Sequence, residues 1–354
     1  MAVWTLPFLS TTVDWSAALG HRLLWLAELL VVITLVRRLD LAELQTVVVR
    51  PLTLGLAVVT LLCASALVLD PASTSNGFNR FEPWGANPNV TGSTLVAAFA
   101  LLTYWGIYRR SWIHFVLAAF AGAMIVLTGS RGSVLAAAIV AVPFLLRVAR
   151  RPAIATVGLA AVVAGSMMFI GADTLGVERT INTPLSNRGI LIGDYVGEFF
   201  SRPWWGLLGT QGHLADQSTL IGAIPHNAYL QFAYWGGISL LVPMLILVST
   251  QLAAAGRSWR RSRKASRPML VEAFAAIVVA TVIHAGTGLM AFYPTYALAF
   301  LGLIATVATF QYAYPPRRRP MSSAAAVTEF AVASPSDAHA SRVGMATMMA
   351  RLAR

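Results

Sequence analysis

Charged residues and cysteines are scarce in this chain of 354 residues. Only 11% of the residues are charged, whereas 57% are hydrophobic, and the mean hydropathy is +0.69. This composition excludes an ordinary soluble globular protein and is typical of integral membrane proteins. Cys63 is the single cysteine and lies among apolar residues. An intramolecular disulfide is therefore impossible, and neither a thiol nucleophile nor a zinc cluster has support.

The charge that is present is mostly positive, with a net value of +12 at pH 7. In a soluble protein this excess would suggest nucleic-acid binding. Here the arginines stand in short runs between apolar segments, where basic residues orient membrane helices against the lipid surface. We therefore expect no nucleic acid as a partner. The chain also lacks a basic start before its first apolar run, so no cleavable signal peptide is predicted.

Nine apolar stretches predict transmembrane helices, since a membrane-crossing helix needs about 20 mostly apolar residues. They cover residues 20–36, 47–69, 92–108, 113–129, 132–147, 153–171, 228–250, 270–288 and 293–312. We expect an all-α, polytopic membrane domain over residues 1–314, with one long external loop at 172–227 that carries short interfacial helices. Residues 315–354 lack a sustained apolar face, which predicts a disordered cytoplasmic tail.

The basic residues fall on alternate loops of this topology. Clusters within residues 37–38, 109–110, 147–151, 257–267 and 317–319 share one side, and the loops on the other side are poorer in basic residues. Cytoplasmic loops of membrane proteins carry an excess of Lys and Arg, so the clusters are predicted to be cytoplasmic. The long loop is then outside.

The predicted outer loop at 70–90 contains one cation, Arg80, among turn-forming residues. Two interpretations stay open. The segment is either an ordinary outer loop with an aromatic belt, or Arg80 belongs to an anion site in which Asn87 and Asn89 offer hydrogen bonds to sugar hydroxyls.

The short turn Gly129-Ser130-Arg131-Gly132-Ser133 joins two predicted helices at the outer interface. An arginine at this depth is unfavourable unless it is paired or binds an anion. The glycines allow the backbone to approach a ligand closely, and Ser130 and Ser133 can cap helix ends. Simple snorkelling to the interface explains one arginine but not this pattern, so we favour an anion contact at Arg131.

The long polar stretch between residues 171 and 237 contains a predicted amphipathic helix over 189–200, which we expect to lie on the membrane surface. Asp194 and Glu198 share one face of it, and we interpret them as a solvated face rather than as a general-base pair or a metal site. A Trp-Trp-Gly turn follows and ends at His213. It either docks a glycan or seats the loop in the lipid headgroups.

Pro225 suits the first position of a helix, which would place His226 in the first turn of the segment that re-enters the membrane. Unpaired N–H groups and the positive end of a helix form an anion site. The same field disfavours an imidazolium, so His226 would stay neutral and able to accept a proton. A lone histidine at a helix start is also a common interfacial cap.

The pattern resembles the O-antigen ligase and O-antigen polymerase family of bacterial envelope proteins over roughly residues 70–310. The motifs that carry the resemblance are Arg80 with Asn87-Pro88-Asn89, Gly129-Ser130-Arg131-Gly132, Arg188 followed by Pro203 and the Gly206/Gly209 turn, and His226-Asn227-Ala228-Tyr229-Leu230 with Gly236-Gly237.

The resemblance implies a GT-C-like, metal-independent membrane glycosyltransferase with no cofactor. It would transfer a glycan from an undecaprenyl-diphosphate-linked donor to a lipid or glycan acceptor hydroxyl, outside the bacterial cytoplasmic membrane. His226 matches the family's proposed catalytic base, Arg131 and Arg188 match arginines proposed to hold the diphosphate, and Arg80 is a looser match. Further candidate substrate contacts are Asn227, Tyr229, His213 and His284.

Three alternatives stay open at this point. Ligase and polymerase differ only in the acceptor. A transporter or binding protein for an anionic lipid-linked glycan would use the same arginines without bond breaking, and His284 suits it best, because an ionisable residue inside a membrane helix indicates function by default. Transporters often carry internal repeats, and none is evident in this sequence. The third alternative is an inactive scaffold of an envelope complex.

Overall fold

The computed structural model describes residues 15–69, 80–148, 186–206, 227–264, 269–287 and 297–315. Within these ranges the chain is almost entirely helical and contains no strand, as the sequence predicts. We number the helices in chain order: α1 Trp15–Arg38, α2 Leu41–Leu69, α3 Pro88–Arg109, α4 Trp112–Leu127, α5 Arg131–Val148, α6 Ser186–Ser201, α7 Ala228–Lys264, α8 Met269–Thr287 and α9 Ala297–Ala313.

Four segments of the described residues are long and apolar enough to cross a membrane. They are Leu41–Leu69, Pro88–Arg109, Gly236–Arg263 and Met269–Gly286. Shorter apolar helices lie at Trp112–Leu127, Arg131–Leu145 and Ala297–Ala313. Length and composition thus identify a membrane protein. Every predicted stretch except 153–171, which lies outside the described residues, overlaps a helix, whereas nine crossings and a GT-C-like fold stay predictions.

Helices α3 and α8 form the centre of the bundle. In each of them 72% of the apolar window is buried within the protein, compared with 28% in α2 and in α7. Helix α8 packs against α3, α5, α7 and α9, and α3 packs against α2, α4, α5 and α9. Both central helices carry several small residues, Gly, Ala, Ser or Thr, and small residues let membrane helices approach closely.

Polar contacts define two ends of the bundle. At one end, a guanidinium N–H of Arg261 donates to the carbonyl of Tyr312 at 3.2 Å, which joins the last turns of α7 and α9. We call this the basic end, because α7 finishes there with the arginine-rich residues 257–264. Ser262 lies next to Glu272 of α8, 3.4 Å between oxygens, so α8 begins at the same end.

The opposite end, which we call the polar end, is where α8 finishes. Ser133 in the first turn of α5 lies 3.4 Å from His284 of α8, and it also faces Gly92 in the first turns of α3. Helix α3 therefore begins at the polar end. It runs to Arg109 at the basic end, because its 22 residues are long enough to cross the bundle.

Candidate functional site

The turn between α4 and α5, residues 128–131, is at the polar end. Gly129 has a φ of +59°, a left-handed conformation that glycine adopts without strain. The Thr128 hydroxyl donates to the carbonyl of Ile125 at 2.7 Å and accepts from the N–H of Ser130 at 3.3 Å. Helix α5 begins at Arg131, which is half-buried. The turn therefore places Arg131 at a helix N-terminus. Helix N-termini bind anions, which suits a candidate anion ligand.

The segment that begins at Arg80 holds this turn from one side. The N–H of Phe81 donates to the carbonyl of Leu127 at 3.0 Å. The Nε of Arg80 donates to the carbonyl of Thr128 at 2.8 Å, and its Nη2 donates to Oδ1 of Asn89, also at 2.8 Å. Two nitrogens of the Arg80 guanidinium thus form hydrogen bonds within the protein, next to the turn that leads to Arg131.

The two asparagines predicted as sugar contacts also have partners within the protein. Oδ1 of Asn87 accepts from the N–H of Asn89 at 2.9 Å and so caps α3, which begins with Pro88. Oδ1 of Asn89 accepts from Arg80. These contacts support a structural role for the described part of this segment.

His284 of α8 lies next to the first turn of α5, just after the turn. It is only 3% exposed, and its Nε2 lies 3.4 Å from the hydroxyl oxygen of Ser133. That hydroxyl lies 2.9 Å from the hydroxyl of Ser130. Gly92 leaves the space for this arrangement, since a Cβ there would lie 2.7 Å from Oγ of Ser133 and 3.0 Å from Oγ1 of Thr128. His284 therefore belongs to the same polar end as Arg131.

Helix α7 begins at Ala228, later than the start predicted at Pro225. Oδ1 of Asn227 accepts from the N–H of Leu230 at 3.0 Å. Asparagine is a preferred N-cap and accepts this bond from the third residue of the helix, which explains why the helix starts there. The described helix thus has Asn227 as its cap, and the helical start at Pro225 stays a prediction. Pro225 and His226 themselves lie outside the described residues, and so does His213.

The start of α7 is fastened to the end of α8. The hydroxyl of Tyr229 donates to the carbonyl of Val282 at 2.6 Å, and the Tyr229 ring faces Gly286. These residues flank His284 on α8. Tyr229 and Asn227, both candidate substrate contacts, therefore lie at the polar end. The Tyr229 hydroxyl and the side-chain oxygen of Asn227 already form hydrogen bonds within the protein.

Helix α6 and the turn after it dock beside the first turns of α7. The Tyr195 ring meets the Tyr234 ring edge-on with 4.7 Å between centroids, and burial raises the pKa of the Tyr195 phenol above its usual value. Farther along, Gly237 has a φ of +58° and breaks α7. The N–H of Ile238, freed by this break, donates to the carbonyl of Pro203 at 2.7 Å.

Arg188 belongs to α6, and the helix predicted over 189–200 is confirmed, with bounds Ser186–Ser201. The Arg188 and Asp194 side chains lie outside the described ones. Docking of α6 still places the helix that carries Arg188 on α7, whose first residues lie at the polar end. The structure thus places Arg80 and His284 in contact with residues just before and just after Arg131, and it describes the helix that carries Arg188.

Two features of the site escaped sequence reasoning. The break at Gly237 had a signal, because adjacent glycines inside a helical pattern lower helix stability, but its partner Pro203 lies in another segment. The contact of Ser133 with His284 joins residues 151 positions apart, and no periodicity encodes such a pairing.

Comparison with known proteins adds no family assignment. No protein-family model matches the chain, and no curated protein matches it in sequence. The resemblance to the O-antigen ligase and polymerase family therefore rests on the sequence motifs alone.

Proposed function

We propose that the protein transfers a glycan from an undecaprenyl-diphosphate-linked donor to an acceptor hydroxyl at the outer face of the bacterial cytoplasmic membrane. The observation that carries this proposal is the convergence of separate segments at the polar end. The Arg80 segment contacts the turn before Arg131, and His284 contacts Ser133 just after it. The start of α7, which begins two positions after His226, is bonded to α8 beside His284.

The distribution of basic residues supports the orientation. The arginine-rich end of α7 and the last turn of α3 lie at the basic end. Basic residues are enriched on the cytoplasmic side of membrane proteins, so the polar end faces outward. A lipid-linked donor in the outer leaflet would then reach the Arg131 turn from the membrane.

The proposed reaction is a single displacement with inversion at the sugar. His226 takes the proton from the acceptor hydroxyl, and the acceptor oxygen forms a bond to the anomeric carbon. The bond from that carbon to the diphosphate oxygen breaks, and the electron pair leaves with undecaprenyl diphosphate. Arg131 and Arg188 hold the diphosphate and stabilise the charge that grows on it, because guanidinium groups bind phosphate oxygens through paired hydrogen bonds.

Transport of an anionic lipid-linked glycan is the second candidate, and one observation favours it. His284 is an ionisable side chain buried within a membrane-spanning helix, and such residues often line substrate or proton pathways. The described candidate residues Arg80, Arg131 and His284 nevertheless lie at one end of the bundle rather than at its middle. Measuring whether the donor is consumed or only moved across the bilayer separates the two classes.

The test is transfer of a radiolabelled glycan from its undecaprenyl-diphosphate carrier in membranes that contain the full chain. His226→Ala should lower the rate by about 100-fold or more, as loss of a general base does. Arg188→Ala should also abolish transfer while the protein stays inserted. His114→Ala and Arg263→Ala are matched controls at the basic end and should retain activity. Full activity of His226→Ala would overturn the assignment.

A further inference from the structure

We propose that Arg80 and His284 are positioning residues that hold residues 128–131 and thereby fix Arg131, rather than ligands of the substrate. We call Arg80, Asn89, Ser133 and His284 the turn clamp. The importance of Arg131 for the substrate rests on the proposed function, but the clamp itself rests only on contacts within the protein.

The first half of the clamp is a fork of hydrogen bonds from Arg80. Its Nε reaches the carbonyl of Thr128 and its Nη2 reaches Oδ1 of Asn89, each at 2.8 Å. A guanidinium is planar and offers donors in fixed directions, so it can bridge two acceptors at once. Lysine would keep the charge but carries it on a compact, flexible ammonium. Arg80→Lys therefore tests geometry separately from charge.

The second half runs from Ser130 through Ser133 to His284, with 2.9 Å and 3.4 Å between successive polar atoms. All three side chains are buried, with exposures of 6%, 0% and 3%. Hydrogen bonds are stronger, and unmade ones more unfavourable, in such a low-dielectric interior. His284 also belongs to α8, one of the two central helices, so it ties the turn to the most buried part of the bundle.

The clamp adds tertiary contacts to a turn that has its own local hydrogen bonds and contains glycine. Gly129 has a left-handed φ, and Gly132 follows Arg131 directly. Glycines permit many backbone conformations. Contacts to Thr128, before Arg131, and to Ser133, after it, therefore help to fix where the first residue of α5 points. His284, at 3% exposure, is too buried to meet a bulky lipid-linked glycan itself.

The first experiment needs no substrate. Arg131→Cys is made in a Cys63→Ala background, and the rate of labelling by a membrane-impermeant maleimide is measured in proteoliposomes. Adding Arg80→Lys, Asn89→Ala or His284→Leu should each raise that rate by about fivefold, as loss of a hydrogen bond worth about 1 kcal/mol allows. His284→Gln, whose amide can bond to Ser133, should keep the parent rate. Arg110→Lys, at the basic end, is the matched control.

If His284→Leu fails to fold, Asn89→Ala still tests the clamp. Asn89 lies in the first turn of α3 and is only half-buried, so its replacement should be tolerated. Equal labelling rates in all properly inserted variants would overturn the clamp. So would a His284→Gln protein that labels as fast as His284→Leu, because the role would then require the imidazole rather than a hydrogen bond.

The second experiment separates positioning from direct binding. Undecaprenyl diphosphate binding to the full chain in nanodiscs is measured for Arg80→Lys, for Arg131→Ala and for the double variant. Residues that act through one another have non-additive effects. Arg80→Lys should weaken binding by about fivefold alone, as loss of a hydrogen bond worth about 1 kcal/mol allows, and by less than about twofold beside Arg131→Ala. Additive losses would overturn the clamp, because Arg80 would then bind the diphosphate itself. If Arg131→Ala alone leaves binding unchanged, the proposed function fails and the labelling result still decides the clamp.

Discussion

The N–H of Ile238 donates a 2.7 Å hydrogen bond to the carbonyl of Pro203, across the break in α7 at Gly237. A helix break leaves backbone groups without their usual partners. Here the carbonyls of Pro203 and Trp204 receive the N–H groups of Ile238 and Ser239. The turn after α6 thus replaces part of the α7 hydrogen-bond ladder, so the helix that carries Arg188 is fixed to the membrane-spanning helix.

Replacing Gly237 should release this docking. Its φ is +58°, and a Cβ would overlap the backbone of residues 203–205. We expect Gly237→Ala to destabilise the protein by about 1–3 kcal/mol, the range for strain at such backbone positions. The measurement is thermal unfolding in detergent, together with protease cleavage between α6 and α7.

Gly256→Ala is the matched control for Gly237, because it lies in the same helix and a Cβ there meets nothing within 4 Å. Alanine is favoured over glycine in a helix interior, so this variant should unfold at the same temperature as the parent or slightly above it. A Gly237→Ala protein with the stability and cleavage pattern of Gly256→Ala would show that the break does not depend on glycine.

Gly92, at the polar end, should also be required for stability. A Cβ at Gly92 would lie 2.7 Å from the Ser133 hydroxyl oxygen, closer than real side chains allow. Gly92→Ala should therefore push Ser133 away and destabilise the protein by about 1–3 kcal/mol, as overpacking of a core does. Thermal unfolding measures it. Gly55→Ala in α2, where a Cβ meets nothing within 4 Å, should have no such effect; equal losses in both would contradict the packing described.

The sequence predicts the helices well because a membrane-spanning helix requires a long apolar run, whatever its neighbours. Helix starts are less predictable. Pro225 and Asn227 are both good start residues, and only the bond from Leu230 to Asn227 identifies the second as the cap.

Tertiary contacts are the least predictable part of the site. Arg80 reaches a carbonyl 48 positions away, and a carbonyl carries no side-chain signal, so the sequence singles out Arg80 without indicating its partner. His284 stands out as an ionisable residue in an apolar helix, but its contact with Ser133 depends on how α5 packs against α8. Helix packing arises from the fit of whole surfaces rather than from local periodicity.

The hydroxyl of Tyr229 should contribute to stability through its bond to the carbonyl of Val282. Tyr229→Phe keeps the ring and removes the donor, so we expect a loss of about 1 kcal/mol in the free energy of unfolding. Tyr108→Phe is the control, since Tyr108 is exposed near the end of α3. Thermal unfolding of both variants in the same detergent provides the measurement. Equal stabilities would contradict a stabilising role for the Tyr229 bond.

The assignment of the polar end to the outer face can be tested without any substrate. In a Cys63→Ala background, Ala86→Cys places a thiol on exposed backbone just before α3, at the polar end, and Arg263→Cys places one at the basic end. In intact cells an impermeant maleimide should label the first variant and not the second, because basic residues are retained in the cytoplasm. After permeabilisation both should be labelled, which controls for thiol accessibility. If only Arg263→Cys is labelled in intact cells, the basic end faces outward and the polar end faces the cytoplasm. The polar end would then lie away from the leaflet where an external glycan donor is found.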